Sequence, residues 1–299
     1  MRRSSAPLLA LCLCLGLAGR ASAETILFVG NSFTFGACSP VWKWRAETVT
    51  DLNGEGQGGA PALFKRFTEE AGLDYQVSLE THPGIGLDWH VANALPRIDR
   101  AWDHVVLQGY STLDAERPGD PTRHAEAAGV LARAFQARNA RVDLRMTATW
   151  SRPDLTYRGA GPWAGRDIFT MAADLRRGVD TAAARTLGVR GVAPVGEAFS
   201  RAIREGVADP NPYDGVSFGQ VDLWAFDHYH ASAFGYYLEA LVLFGSVTGR
   251  DPTSLGERES AARELGFSPD QTRSLQRVAA EELGFRPPPS SAAPAAPPR

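Results

Sequence analysis

The sequence has little cysteine, no apolar run long enough to span a bilayer comfortably, no excess of basic charge and no internal repeat beyond a short Glu-Leu-Gly-Phe coincidence at 264–267 and 282–285. Each absence removes a class of protein. Two of the three cysteines, Cys12 and Cys14, fall in the first 23 residues, so a mature chain keeps Cys38 alone and has no intrachain disulfide. The missing apolar run excludes a membrane span once that leading segment is removed. A net charge of −3, with no basic stripe, gives no footprint for nucleic acid. What remains is 299 residues, 44% hydrophobic, enough for one large α/β core.

The leading segment reads as an export signal. Arg2 and Arg3 precede an apolar stretch from Ala6 to Ala18, and Ala21-Ser22-Ala23 supplies a small-x-small cleavage site before Glu24. Its removal takes away three arginines and no acids, which moves the net charge from −3 to about −6. The expectation is a soluble secreted or periplasmic protein. The remainder divides into a main domain over 24–252, a helical extension over 253–286 and a Pro/Ala/Ser tail over 287–299 that has no means of forming a core.

Within the main domain, short apolar runs at 25–29, 75–79, 104–107, 142–147 and 191–195 alternate with segments of helical spacing at 61–72, 122–138, 165–187 and 232–247. Alternation of this kind predicts a five-stranded parallel sheet wrapped by helices. Residues 268–271, Ser-Pro-Asp-Gln, form a capping box that opens a further helix to about residue 283. Residues 36–60 break the alternation with Trp42, Trp44 and a Gly-rich stretch; a loop of that length is usually functional or mobile.

The first run, Thr-Ile-Leu-Phe-Val, stops on Gly30-Asn31-Ser32. Ser32 thus stands just past the carboxyl end of a strand, where open α/β sheets bind ligands, although the same tripeptide also makes an ordinary turn or helix cap. A serine hydroxyl needs a neighbouring base to act as a nucleophile. Among six histidines, His230 is singled out because Asp227 lies three residues before it, in Asp227-His228-Tyr229-His230, close enough to hold one ring nitrogen. Donors for a developing oxyanion are available just after the second and third runs. These are Gly84 in His82-Pro83-Gly84-Ile85-Gly86, and Gln108 or Ser111 in Leu107-Gln108-Gly109-Tyr110-Ser111, with the Ser32 N–H beside them.

Taken in order, these blocks resemble the SGNH (GDSL-like) hydrolase superfamily over residues 25–247: serine after the first strand, glycine after the second, a Gly-x-Asn block after the third, and Asp-x-x-His near the end. The resemblance implies a flavodoxin-like three-layer α/β/α fold and ester hydrolysis by Ser32, His230 and Asp227 through an acyl-enzyme. It implies an oxyanion hole from Ser32 and Gly84 with Gln108 or Ser111, and no cofactor. Two positions depart from the pattern. Gly-Asn-Ser replaces the commoner Gly-Asp-Ser, and Ser111 stands where the oxyanion asparagine is expected. Thr149-Trp150 and the Pro194 to Phe199 segment look like an exported bacterial subgroup.

Substrate contacts are expected from Asn31, from Trp150, and from His90, placed to face the cleft from the start of a helix. Trp42, Trp44, Trp150 and Trp163 suit stacking on sugar rings, with core or lid packing as the alternative. A small-molecule or polysaccharide ester, probed first as an acetyl ester of a carbohydrate, is therefore the expected substrate. A non-catalytic carbohydrate-binding protein on the same fold is the competing reading. Asp227, His228 and His230 also admit a reading as metal ligands, without a second ligand cluster in the sequence to support it.

Overall fold

A computed structural model describes residues 23–285. Nearly all of the proposed signal segment, with Cys12 and Cys14, and the whole of the Pro/Ala tail lie outside the described residues.

The strands are β1 Glu24–Gly30, β2 Thr50–Asp51, β3 Tyr75–Thr81, β4 His104–Leu107, β5 Asp143–Ala148 and β6 Val189–Pro194. Helices are α1 Ser32–Phe35, α2 Gly59–Glu70, α3 Leu87–Asn93, α4 Leu95–Ile98, α5 Thr122–Arg138, α6 Pro153–Thr156, α7 Ile168–Arg185, α8 Val195–Arg204, α9 Ala233–Thr248, α10 Ser260–Glu264 and α11 Pro269–Glu282. All five strands expected from the apolar runs are present. The sixth, β2, is a two-residue edge strand inside the segment expected to be a loop. That segment is ordered by two 3-10 turns, Pro40–Lys43 and Ala46–Thr48, and by β2, so residues 36–60 are a built part of the sheet edge.

The sheet order is β2-β3-β1-β4-β5-β6, with every pairing parallel. Parallel pairing puts all carboxyl ends on one edge. The order reverses at β1, whose neighbours are β3 and β4, and a crevice forms at such a switch point. Residues of β1 alternate between the two faces: Ile26 and Phe28 join a core with α2, α8, α9 and α11, whereas Leu27 and Val29 join a second core with α3, α5 and α7. This double burial explains why the strand reads as a continuous apolar run. The C-terminal helix α11, opened by the expected capping box, places Leu275, Val278 and Ala279 in the first of these cores. Among the described residues, no helix is long and apolar enough to cross a membrane.

Candidate active site

β1 ends on Gly30, where space forbids a side chain: an added Cβ would lie 2.1 Å from Thr34 Oγ1 and 2.7 Å from Gln108 Oε1. Asn31 then caps α1, its Oδ1 accepting the Phe33 N–H at 3.0 Å, and Ser32 is the first residue of that helix. Asn31 Nδ2 donates to the carbonyls of Ile85 and Gly109, both at 2.9 Å. One buried amide thus ties the turn after β1 to the turns after β3 and β4. With both amide protons used inside the fold, Asn31 is a bracket and not the substrate contact expected from its position.

Gln108 holds the same turn. Its Oε1 accepts from the Asn31 N–H at 2.9 Å and from Thr34 Oγ1 at 3.0 Å, and its Nε2 donates one proton to the Gly109 carbonyl. At 2% exposure its first role is to anchor the serine turn. His90 does not face the cleft. Fully buried, it donates from Nε2 to the Gly30 carbonyl at 2.9 Å while Nδ1 meets the Glu80 carboxylate, so it braces the turn from behind. Trp150 is also fully buried, sandwiched between Phe33 at 4.1 Å and Phe199 at 5.0 Å, with no face left for a sugar. Trp163 is likewise core, whereas Trp42 is partly exposed.

The remaining candidates do converge. Asp227 Oδ1 accepts the N–H groups of Tyr229 and His230, and Oδ2 sits 2.6 Å from His230 Nδ1. A carboxylate only accepts, so Nδ1 carries the proton and Nε2 offers its lone pair. Burial by itself would raise the Asp227 carboxyl; the His230 ring and the two N–H groups outweigh it and hold the carboxyl below its usual range. His230 Nε2 is buried and has no hydrogen-bond partner among the described residues, Ser32 included. The ring lies beside the serine turn all the same: Phe33 meets it edge-on at 5.6 Å, and the Tyr236 hydroxyl from α9 donates toward the Ser32 carbonyl at 3.1 Å. An open serine–histidine contact is common before substrate arrives.

On the oxyanion side, Gly84 turns at φ +70°, a conformation that favours glycine, in the exposed bend after β3. The Ser32 and Gly84 N–H groups make no hydrogen bond to the described residues. Ser111 is buried, and its Oγ accepts from Arg152 Nη1 at 3.1 Å. Arg152 is itself fixed by a bidentate pair with Asp154 and lies 3.7 Å over the Tyr229 ring. A guanidinium holding the Ser111 oxygen leaves that hydroxyl's proton to donate, and the Tyr229 hydroxyl lies within its reach as an acceptor. Arg152 and Tyr229 escaped the sequence reading, although Arg152 follows β5 on the same edge of the sheet.

Cys38 was also missed as a neighbour of the site. Its donor atom and those of Asp227 and His230 all lie within 4.8 Å of one another. Burial, and then the Asp227 charge, push its thiol up to about 11, so it stands beside the carboxylate as a neutral S–H. His228 is not in that cluster; its ring packs on Tyr213 at 4.2 Å, so the three metal-ligand candidates of the sequence do not form one group.

Beneath the β4 turn, His124 fills the space that a Gly109 side chain would need, with Nδ1 2.2 Å from the ideal Cβ position. Neither ring nitrogen has a hydrogen-bond partner among the described residues, and burial pushes the imidazole down from 6.5 to about 4. The unfolded chain takes up that proton as pH falls below 6.5 while the folded chain refuses it down to about 4. The titration of His124 therefore costs nothing above pH 6.5 and should remove about 3 kcal/mol of stability by pH 4. Urea unfolding at pH 7 and pH 4 should show this slope in the wild type and its loss in His124→Leu; equal slopes would contradict the assignment.

Among solved structures, the chain is similar to a DUF4886 family protein from Bacteroides uniformis, with a TM-score of 0.60 and 18% identity over 88% of this chain and 96% of that one. It is also similar to a protein described as a GDSL-like lipase from Parabacteroides merdae, with a TM-score of 0.50 and 15% identity over 76% of this chain and 95% of that one. No family model matches the sequence, and no curated protein matches it. At these identities the likeness establishes the fold, which is that of the SGNH (GDSL-like) hydrolases.

Proposed function

We propose that the protein is an exported serine esterase that removes acyl groups, acetyl first among them, from carbohydrate esters. The observation that carries this reading is the Asp227–His230 pair. It leaves a basic Nε2 buried, unpartnered and beside the turn that begins with Ser32. In the mechanism that follows, Ser32 Oγ attacks the ester carbonyl as His230 Nε2 takes its proton. The alcohol leaves with that proton, and water then hydrolyses the acyl-serine by the same relay. Asp227 holds the ring and stabilises the imidazolium. The N–H groups of Ser32 and Gly84, with the Ser111 hydroxyl, receive the oxyanion. The leading residues 1–23 direct export in this proposal.

A direct trial is to treat the protein with a fluorophosphonate and with a short-chain aryl acetate. Hydrolysis of the acetate, with the phosphonyl group located on Ser32 by peptide mass spectrometry, is expected. The unclosed contact between Ser32 and His230 favours a second reading, a carbohydrate-binding protein without catalysis. That reading requires that neither labelling nor hydrolysis occurs.

A further inference from the structure

Gly84 also lines a cleft of about 210 Å³ between the segments after β3 and β4. Its other walls include Asp88, Trp89, Tyr110, Asp114 and Arg123. Trp89 is fixed as a plate: the His82 ring stacks on it at 4.4 Å with 5° between planes, and His90 meets it edge-on at 5.5 Å. Asp114 is buried, and its Oδ1 accepts the N–H groups of Glu116 and Arg117. Those backbone donors, Arg117 first, hold its carboxyl below the usual range. Its Oδ2, closed off from solvent, lies 3.4 Å from Arg123 Nε and 3.9 Å from Arg117 Nη2. Arg123 is shared in turn with Glu116, also at 3.4 Å.

These walls select a ligand chemistry. Arg117 and Arg123 are both engaged by carboxylates, Asp114 with Asp120 and Glu116, while Asp88 on the cleft wall makes no ion pair among the described residues, so an anion finds no free cation there. The cleft is too small and too polar for a long acyl chain. An aromatic plate with separate acceptor and donor groups suits a ring that has a C–H face and equatorial hydroxyls. The exposed Asp88 carboxylate gains a charge-assisted hydrogen bond from such a hydroxyl.

We propose that this cleft is a subsite for one neutral sugar ring of the ester's alcohol portion, stacked on Trp89 with hydroxyls on Asp88 and Arg123. Its place beside Gly84 rests on the esterase reading above, whereas its binding chemistry does not. Two measurements separate them. In kinetics, Trp89→Ala and Arg123→Gln should each lower kcat/KM at least tenfold further for an acetylated methyl glucoside than for an aryl acetate. Equal falls on both substrates in both variants would overturn the subsite and leave the esterase reading standing.

In binding, saturation-transfer NMR on Ser32→Ala should detect methyl glucoside, and the signal should be lost when Trp89→Ala is added. Tighter binding of choline, which the aromatic and acidic groups would also attract, overturns the proposal, as does equal binding of a methyl glucuronide. A protein that hydrolyses no ester yet binds methyl glucoside through Trp89 would refute the esterase reading and keep the subsite.

Discussion

Ser32→Ala and His230→Ala should each lower kcat for aryl acetate hydrolysis by about four to six orders of magnitude, and the double variant should lose no more than the worse single one. Both residues keep an open valence. Asp227 occupies His230 Nδ1, and nothing in the described structure occupies Nε2. A ring so held has one proton-transfer partner to find, and the residue next to Phe33, which packs on that ring, is Ser32. Nucleophile and base act in one step, so removing either removes the step, and the second removal has nothing left to subtract. Circular dichroism should change little in either variant, and the urea midpoint should fall only in His230→Ala, which leaves the Asp227 carboxylate without its ring partner. Additive losses, or a Ser32→Ala protein that keeps its rate, would show that the chemistry is elsewhere.

Gly59→Ala should destabilise the fold by about 3–5 kcal/mol, the largest effect expected from adding a single methyl group. Gly59 opens α2 at φ +63°, and an added Cβ would stand 2.4 Å from the Thr34 carbonyl oxygen and about as close to the Phe35 backbone. Both contacts are with main chain, which has no rotamer by which to withdraw. The backbone in the way is α1, the short helix that starts with Ser32, so activity should fall with stability. Gly54→Ala is the control. It shares a positive φ of 73° but has nothing within 4 Å, and should cost only about 1 kcal/mol of backbone strain. Urea midpoints for the two variants, with unchanged m-values, separate crowding from conformation; similar losses would show that crowding at α1 is not the cause.

The parts of this molecule that are local in sequence were legible from sequence. Doubly buried strands write themselves as apolar runs, which is why β1, β3, β4, β5 and β6 were found, and why Ser32 was placed at the carboxyl end of a strand. The Asp227–His230 bond is a three-residue contact and was equally readable. What spacing does not encode is depth. Trp150, His90, Asn31 and Gln108 have the side chains of ligand-binding residues at the right addresses, yet each is turned inward to hold the serine turn. Arg152 and Cys38 were missed for the converse reason. Their partners, Ser111 and Asp227, are distant in sequence, and only the packed fold brings them together. The two-residue β2 is too short to leave a periodic signal.

The halves of the site hang from different parts of the molecule. Ser32, Gly84 and Ser111 follow three strands that are neighbours in the sheet, and the Asn31 amide laces their turns together. His230 follows no strand. It sits in residues 205–232, where two isolated bridges, Ala208 with Val221 and Trp224 with Ala231, are the only sheet-like pairings, and where Phe218 and Phe226 are exposed. That segment is tethered to the sheet through the turn after β5: Trp150 Nε1 donates to the Tyr229 carbonyl, Trp224 Nε1 to the Ser151 carbonyl, and the Asp154 N–H to the His228 carbonyl. A segment held by a few such bonds opens at a lower free energy than the sheet does. On the proposed mechanism, activity lost on heating or in urea before the sheet unfolds would mean that this segment opens first, although it sets Val221, Leu223 and Trp224 in the core.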